Sequence, residues 1–474
     1  MVGLFFCFFV HAGEYPWVWM GKDDIQVTEH TRVEAEIRLE MTRRAQFSID
    51  VVTFDQRADH QIGFPLIQAL ESAAKRGVKV RVATAWLAPF LKDPLFQASR
   101  YLKNAAKNNP NLEYLEVGGS VMRNRGWGYI DGVHEKLFIV DKKWLIVTGR
   151  GHAGEYIKWL DTAFLIKGPL VDQSQDVFDK LWKMVKRELE IKDVGTDQLL
   201  PVTQSTPIVP SKLGFVLSLN PKEQGEFQKY LTWLDQPPSA EKDYRGRTLH
   251  FNFLEQLSHQ ELTPGEYSYD ERAEVLNDPV QKRAIALLKT TQKFHLSILA
   301  MTLDGRFRDA LIEAIQRGMD TEILTNSSTS HASISPLRIS PGWYAGLKTL
   351  DMVLMYKDAD EVLKVYPNVQ VHGLMERNDD PDSTKFLHRK LAIFDDTVIF
   401  GSHNLTISST LTQDEVSYEI QSPEFAHQMK ELSQGSIRSN AEPLHPLEVH
   451  NALTSTGYRQ WMSSFFEKFY LEEQ

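Results

Sequence analysis

Histidine and lysine recur two residues apart at two places in the chain: His134 and Lys136 in HEKLFIVD, and His388 and Lys390 in HRKLAIFD. Each copy ends in an aspartate, Asp141 and Asp395. Both runs are apolar enough for a strand, where residues i and i+2 share a face, so each imidazole has an ammonium as its neighbour. An ammonium opposes protonation of the ring and gains nothing for stability there. The pairing makes sense when an anion sits above both groups. Two such pairs brought together would set two imidazoles and two ammoniums around one pocket, suited to a phosphate diester. Imidazole titrates near neutrality and serves as a nucleophile or as an acid and base. Two unrelated solvent-facing strands would be the plainer explanation, but the polar pair is placed identically in two copies of one local context.

Each run is followed by a tight turn and a second β-like run, WLIVTG in the first copy and TVIFGS in the second. Asp395-Asp396 makes a two-residue turn. Counting back from it puts the residue facing His388 at about position 403 or 404, so Ser402 and Asn404 of GSHN are expected to reach the pocket as hydrogen-bonding groups. Glu415 lies in the next β-like run, DEVSYEI, where a carboxylate can hold a ring N–H and fix its tautomer. Asp141 and Asp395 complete the catalytic motifs. They fall at the hairpin turns, at odd spacing from the lysines, which gives them a structural reading.

The elements that must carry these strands repeat as well. In the first half, 31–46 reads as a helix, 47–54 as a strand, 62–77 as a helix closed by Gly77, and 78–86 and 112–118 as strands before the motif hairpin. In the second half, 280–294 reads as a helix, 295–303 as a strand, 307–318 as a helix closed by Gly318, and 321–326 and 369–375 as strands before the second hairpin. AAKRG (73–77) and AIQRG (314–318) mark the duplication. Strands alternating with helices argue for an α/β fold in which each half is a mixed sheet sandwiched between helices. The site is then expected at the domain interface, since each half supplies one histidine and one lysine. The divisions are a lead-in at 1–30, a first domain at 31–198, a linker or insert at 199–270 with a helical piece near EQGEFQKYLTWLD, and a second domain at 271–474 ending in an amphipathic helix.

With these residues in view, the chain resembles the phospholipase D superfamily, whose signature is a duplicated HxKxxxxD commonly followed by GSxN or GGRN. In pattern it is most similar to bacterial cardiolipin synthases and related phosphatidyltransferases: TGRGHAGEYIKWLDTAFLIKGPLV resembles that group's GGRNxxDEYF…DLDVxxxGPAV, and TEILTNS followed by WYAG also fits. The likeness runs from about Arg32 to about Met429. Asp161, in WLDTAFLI, matches the acidic position of Glu415 in the second copy. The first copy departs from the pattern, with Thr148 for a glycine and Gly151 for the family's asparagine. Arg150 is retained, and it or His152 is a candidate to compensate.

The resemblance implies two phospholipase D-like domains in a pseudo-twofold arrangement, with His134 as nucleophile and His388 as acid and base in a metal-independent, two-step phosphohistidine reaction. Lys136, Lys390 and Asn404 would neutralise the phosphoryl oxygens, and Ser402, Glu415, Asp161 and Arg150 would bind substrate or orient the catalytic groups. The implied activity is a phosphodiesterase or phosphatidyltransferase acting on phospholipids. A nuclease of the same superfamily and a non-catalytic scaffold binding phospholipid or nucleic acid, the latter prompted by Gly151, are the alternatives.

Composition bounds the remainder. The 474 residues are 42% apolar and 24% charged, ample for two cores. The net charge of −10 disfavours bulk attraction to a polyanion, and with it a nonspecific nuclease. The single cysteine, Cys7, rules out an intramolecular disulfide and a cysteine zinc site. No metal motif or Gly-rich phosphate loop is present, so no cofactor and no metal are expected. Val2 to Val10 is too short to span a bilayer as a helix and matches the core of a signal peptide or a buried first strand. Trp17 and Trp19, and the loop bearing Arg123, Arg125, Trp127 and Tyr129, suit a lipid interface. These features set the expectation of a phospholipid substrate, peripheral membrane contact, no obligate protein partner, and an exported or membrane-peripheral location.

Overall fold

The computed structural model describes residues 14–85, 97–117, 132–192, 219–251, 278–299, 301–326, 341–375, 386–406, 409 and 413–454. The apolar N-terminal run, the loop with Arg123 to Tyr129 and the expected closing helix at 459–473 lie outside them.

The molecule is built on two mixed sheets. The first runs Ile25–Thr28, Ala163–Ile166, Trp144–Thr148, Leu137–Val140, Ser48–Thr53, Lys79–Ala85 and Leu112–Val117. The second runs Val18–Met20, Tyr244–Phe251, Gln413–Gln421, Thr397–Gly401, Lys390–Phe394, Lys293–Ile298, Asp320–Asn326, Val369–Leu374 and Ala441–Pro443. The six strands from Ala163–Ile166 to Leu112–Val117 repeat in order and direction as those from Gln413–Gln421 to Val369–Leu374, with the parallel pairings at the same end of each set. This is the duplication visible in the sequence.

Local chemistry accounts for the element boundaries. Gly77 and Gly318 take φ of +98° and +94° and close their helices where a side chain would be strained. Asn220, Asp278 and Ser422 each accept a backbone N–H of the helix they begin, with proline next in line. Motif strands Leu137–Val140 and Lys390–Phe394 are buried along their whole length. Covering both faces of a strand requires the continuous apolar run seen in LFIV and LAIF.

One expected helix is shorter. The stretch read as 280–294 stops at Leu288, and Lys293 already begins a strand. Thr290 and Thr291 are poor helix formers, and the Asp395 carboxylate accepts the backbone N–H groups of Gln292 and Lys293, which fixes the next strand's entry.

Division along the chain does not coincide with division in space. The lead-in supplies an edge strand to each sheet. The segment read as a linker forms the helix Pro221–Asp235 on the first half and the strand Tyr244–Phe251 in the second sheet. Tyr230, Trp233 and Leu234 of that helix join the first half's outer core.

A central core crosses between the halves. It includes Val147, Phe164 and Phe178 from one side and Ile393, Phe400 and Phe425 from the other. Phe164 and Phe400 stack with ring centroids 3.8 Å apart. Burial of this kind stabilises by roughly 1.5–3 kcal/mol per large side chain, and here it holds the two sheets in one relative orientation.

Candidate active site

Both motif histidines sit at the seam, nearly buried, with 7% and 9% exposure for His134 and His388. Each is held by the opposite half. The His134 backbone N–H donates to the Asp414 carbonyl at 3.1 Å, and the next residue, Glu415, faces the His134 ring, 2.9 and 3.1 Å from Nδ1. The His388 backbone N–H donates to the Leu160 carbonyl at 2.8 Å, and the next residue, Asp161, lies 2.9 Å from His388 Nδ1. Short parallel pairings support both exchanges: Gly132–Val133 with Gln413 and Asp414, and Trp159–Leu160 with Phe386 and Leu387. With a carboxylate at Nδ1, the proton of a neutral ring resides there and Nε2 is left with its lone pair.

The lysines close the set. Lys136 Nζ donates to the His134 carbonyl at 2.5 Å, and Lys390 Nζ to the His388 carbonyl at 2.7 Å. Lys390 Nζ also lies 3.1 and 3.2 Å from the two ring nitrogens of His388. The charges act across the seam. Burial, reinforced by Lys136 and Lys390, lowers the His134 pKa to about 4 against the pull of Glu415. Glu415 is itself driven to about 2 by the charges facing it, against its burial. Burial raises Asp161 to about 6 and lowers Lys136 to about 7 and Lys390 to about 8. Burial lowers both lysines although Glu415 and Asp161 face them, and an anion in the pocket would further favour their charged forms.

The other sequence-derived residues fall in different places. Ser402 Oγ is engaged by the backbone of Val416, accepting its N–H at 3.0 Å and donating to its carbonyl at 3.1 Å, so it fixes the strand that carries Glu415. Asn404 is buried, and its Oδ1 has no partner among the described residues. Arg150 points away from the pocket. Its guanidinium binds Glu34 and the carbonyls of Glu29 and Asp161, so it braces the strand end bearing Asp161. Asp141 accepts the N–H groups of Gln46, Phe47 and Ser48, and Asp395 those of Gln292 and Lys293, each at the turn end of its hairpin.

His152 does not stand in for the missing asparagine, because its Nδ1 is 2.7 Å from Gln56 Oε1 in a buried site. Gly151 is filled from another direction. A β-carbon there would come within 2.6 Å of the Asp55 carbonyl and 2.8 Å of its Cβ. The two half-sites are therefore unequal: one has a carboxamide and the other has backbone.

Several site residues escaped the sequence reading. Asn326 brackets Leu387, the residue before His388, donating to its carbonyl at 2.8 Å and accepting its N–H at 2.7 Å. Gly149 leaves room for the Asp161 carboxylate, which any β-carbon would meet. Phe54 packs edge-on against His134 at 5.4 Å between centroids, and Trp159 lies 4.9 Å from His388. TEILTN carried a signal for Asn326 in its strand-end asparagine. The aromatic contacts had none, since those residues meet the histidines only through the fold.

Among the described residues no group of three or more His, Cys, Asp or Glu side chains could hold a metal ion, and no helix is long and apolar enough to cross a membrane. A separate concavity of about 790 Å³ opens beside the Asp395 turn, lined by Lys293, His295, Asp320, Glu322, His427 and Lys430 among others, and contains neither motif histidine.

Comparison with known proteins follows the same lines. Residues 284–434 match the family described as "Cardiolipin synthase, PLD-like domain". No curated protein matches the chain. Among solved structures, phosphatidylserine synthase of Haemophilus influenzae Rd KW20 is similar at 14% identity and a TM-score of 0.59, over 96% of this chain and 94% of that one. Nuc, a phospholipase D family member from Salmonella typhimurium, is similar at 15% identity and a TM-score of 0.25, over 35% of this chain and 90% of that one. At such identity the first likeness is one of fold, and it extends over nearly the whole of both chains. Residues 284–434 thus carry the matched PLD-like domain, and the duplicated motif and the repeated strand order give the first half the same arrangement.

Proposed function

We propose that the protein is a phosphodiesterase or phosphatidyltransferase that acts on phospholipids through a phosphohistidine. The observation that carries this reading is the reciprocal pairing of each motif histidine with a carboxylate from the other half, beside its own lysine.

His134 is the nucleophile in this scheme. Its pKa of about 4 keeps the ring neutral at physiological pH, and Glu415 holds the proton at Nδ1, so the Nε2 lone pair is available. Attack forms an N–P bond and breaks the P–O bond to the leaving alcohol, which takes a proton from the His388 ring. In the second step water or an alcohol gives its proton to His388 and attacks phosphorus, and the N–P bond breaks. Glu415 and Asp161 steady the imidazolium charge that each ring carries along the way. The ammoniums of Lys136 and Lys390 and the Asn404 carboxamide face the phosphoryl oxygens as charge shifts among them.

A phospholipid fits better than a nucleic acid because the chain carries ten net negative charges, whereas binding to a polyanion is dominated by basic surface. Partition onto a membrane surface at the periphery accompanies this reading.

The experiment is mass spectrometry of phosphatidylglycerol vesicles incubated with the protein and excess glycerol. Cardiolipin would identify a synthase and phosphatidic acid a hydrolase. Neither product, with single-stranded DNA cleaved instead, would replace the lipid reading with the nuclease one. Turnover that survives His134→Ala would remove the covalent scheme.

A further inference from the structure

Behind the catalytic groups, the third residue of each post-motif turn reaches back to the first helix of its own half. In the first half Arg150 binds Glu34, in the opening turn of Thr31–Arg44. In the second half His403 stands in that place, and its Nε2 lies 2.7 Å from Oδ2 of Asp278, the residue that caps Pro279–Leu288. An arginine can only donate. A histidine can donate from one nitrogen and accept at the other, and here both are used: the Leu405 backbone N–H donates to His403 Nδ1 at 2.9 Å.

That second bond has a consequence for Asn404. Leu405 takes φ of +52°, the left-handed region that a leucine adopts only when its surroundings impose it. Asn404 lies between the clamped ring and the strained residue. Its own N–H donates to Ser409 Oγ at 3.1 Å, and its side-chain Oδ1 is buried with no partner among the described residues. The backbone on either side of the carboxamide is therefore fixed, and its Nδ2 is the end that can donate to a phosphoryl oxygen.

Burial disfavours charge on the His403 ring, while the Asp278 carboxylate beside it pulls the ring toward protonation and raises its pKa above the ordinary value. The Leu405 N–H nevertheless keeps Nδ1 bare. We infer that His403, its Nε2 proton held by Asp278 and its Nδ1 occupied by the Leu405 N–H, is a positioning residue that sets Asn404 for the phosphoryl group. The inference rests on the reaction proposed above. It accounts for the difference between the half-sites: Arg150 holds a turn whose next residue, Gly151, has no side chain to aim, whereas His403 adds the bond to Leu405 that aims one.

The test is a double-mutant cycle on Asp278→Asn and Asn404→Ala in the full chain, read first by turnover of phosphatidylglycerol vesicles in excess glycerol. Asparagine caps a helix as well as aspartate does. Asp278→Asn therefore keeps the bonds to Val280 and Gln281 and removes the acceptor for His403. The expected result is a fall in kcat of about 10-fold with KM little changed, and a double variant no slower than Asn404→Ala alone. Losses that multiply, or an unchanged kcat in Asp278→Asn, would overturn the inference. The second readout is the ¹⁵N spectrum of the histidine rings in the parent protein. A proton on Nε2 and a bare Nδ1 at His403 are expected, and a proton on Nδ1 would overturn the inference even if no phospholipid is turned over. Activity that survives His134→Ala would instead remove the reaction and leave the His403 clamp in place.

Discussion

Glu415 and His134 are 281 positions apart in the chain, yet the carboxylate oxygens lie 2.9 and 3.1 Å from the ring Nδ1. With the same exchange between Asp161 and His388, neither half owns a complete histidine–carboxylate pair. Removing the carboxylate while keeping its shape leaves the ring free to take the wrong tautomer. Glu415→Gln is expected to lower kcat by about 10²–10⁴-fold with the fold intact by circular dichroism. Steady-state turnover of the variant checks this, and a loss well below about 10-fold would contradict the assigned role.

The dependence on pH follows from the same charges. His134 must be neutral, and its pKa is about 4, so activity rises as pH climbs through that value. Lys136 and Lys390 must be charged when substrate arrives, and in the free protein they titrate at about 7 and about 8. kcat/KM is therefore expected to fall above neutrality, unlike the plateau that ordinary lysines would give up to about pH 10. A pH profile on a neutral short-chain lipid dispersion checks the alkaline limb.

Stability should show the opposite trend at Lys136. Its folded pKa lies below the unfolded value, so the folded state binds fewer protons between about 7 and 10.5. The burden on stability is fully present below pH 7 and is relieved as pH rises through that window. Lys136→Met is expected to raise stability at pH 7, because it removes a charge that burial penalises, while abolishing turnover. Urea denaturation at pH 7 measures the first effect, and a destabilised variant would argue that the bond to the His134 carbonyl outweighs the buried charge.

Restoring the family's asparagine in the first half-site should fail. Gly151→Asn drives a side chain into Asp55, whose carbonyl and Cβ already occupy the space. Overpacking of this kind costs about 1–3 kcal/mol. A lower melting temperature with no gain in kcat is expected, and a variant more active than the parent would show that Asp55 gives way.

The motif aspartates should separate stability from chemistry. Asp141→Ala leaves three backbone N–H groups, those of Gln46, Phe47 and Ser48, without their acceptor. A loss of about 1–3 kcal/mol is expected, with kcat unchanged within about 2-fold at a temperature where the variant is folded. Asp395→Ala should behave alike. A large fall in kcat with stability unchanged would move either residue into the chemistry.

Much of this site was legible along the chain. Residues two apart in a strand must share a face, so His134 with Lys136 and His388 with Lys390 were readable without a structure, as were the hairpins and the helix ends at Gly77 and Gly318. Glu415 and Asp161 stood out because each occupies the same place after its motif. Which histidine each carboxylate serves was not readable, because that depends on strands of one half pairing with the other. The same limit hid the space taken by Asp55 beside Gly151, the turning away of Arg150 toward Glu34, and the strands that the lead-in and linker lend to the second sheet. Local periodicity and turn chemistry act over a few residues and are written in the order of the amino acids. The meeting of the halves is decided by the burial of side chains such as Phe164 against Phe400, and no short stretch of sequence contains both partners.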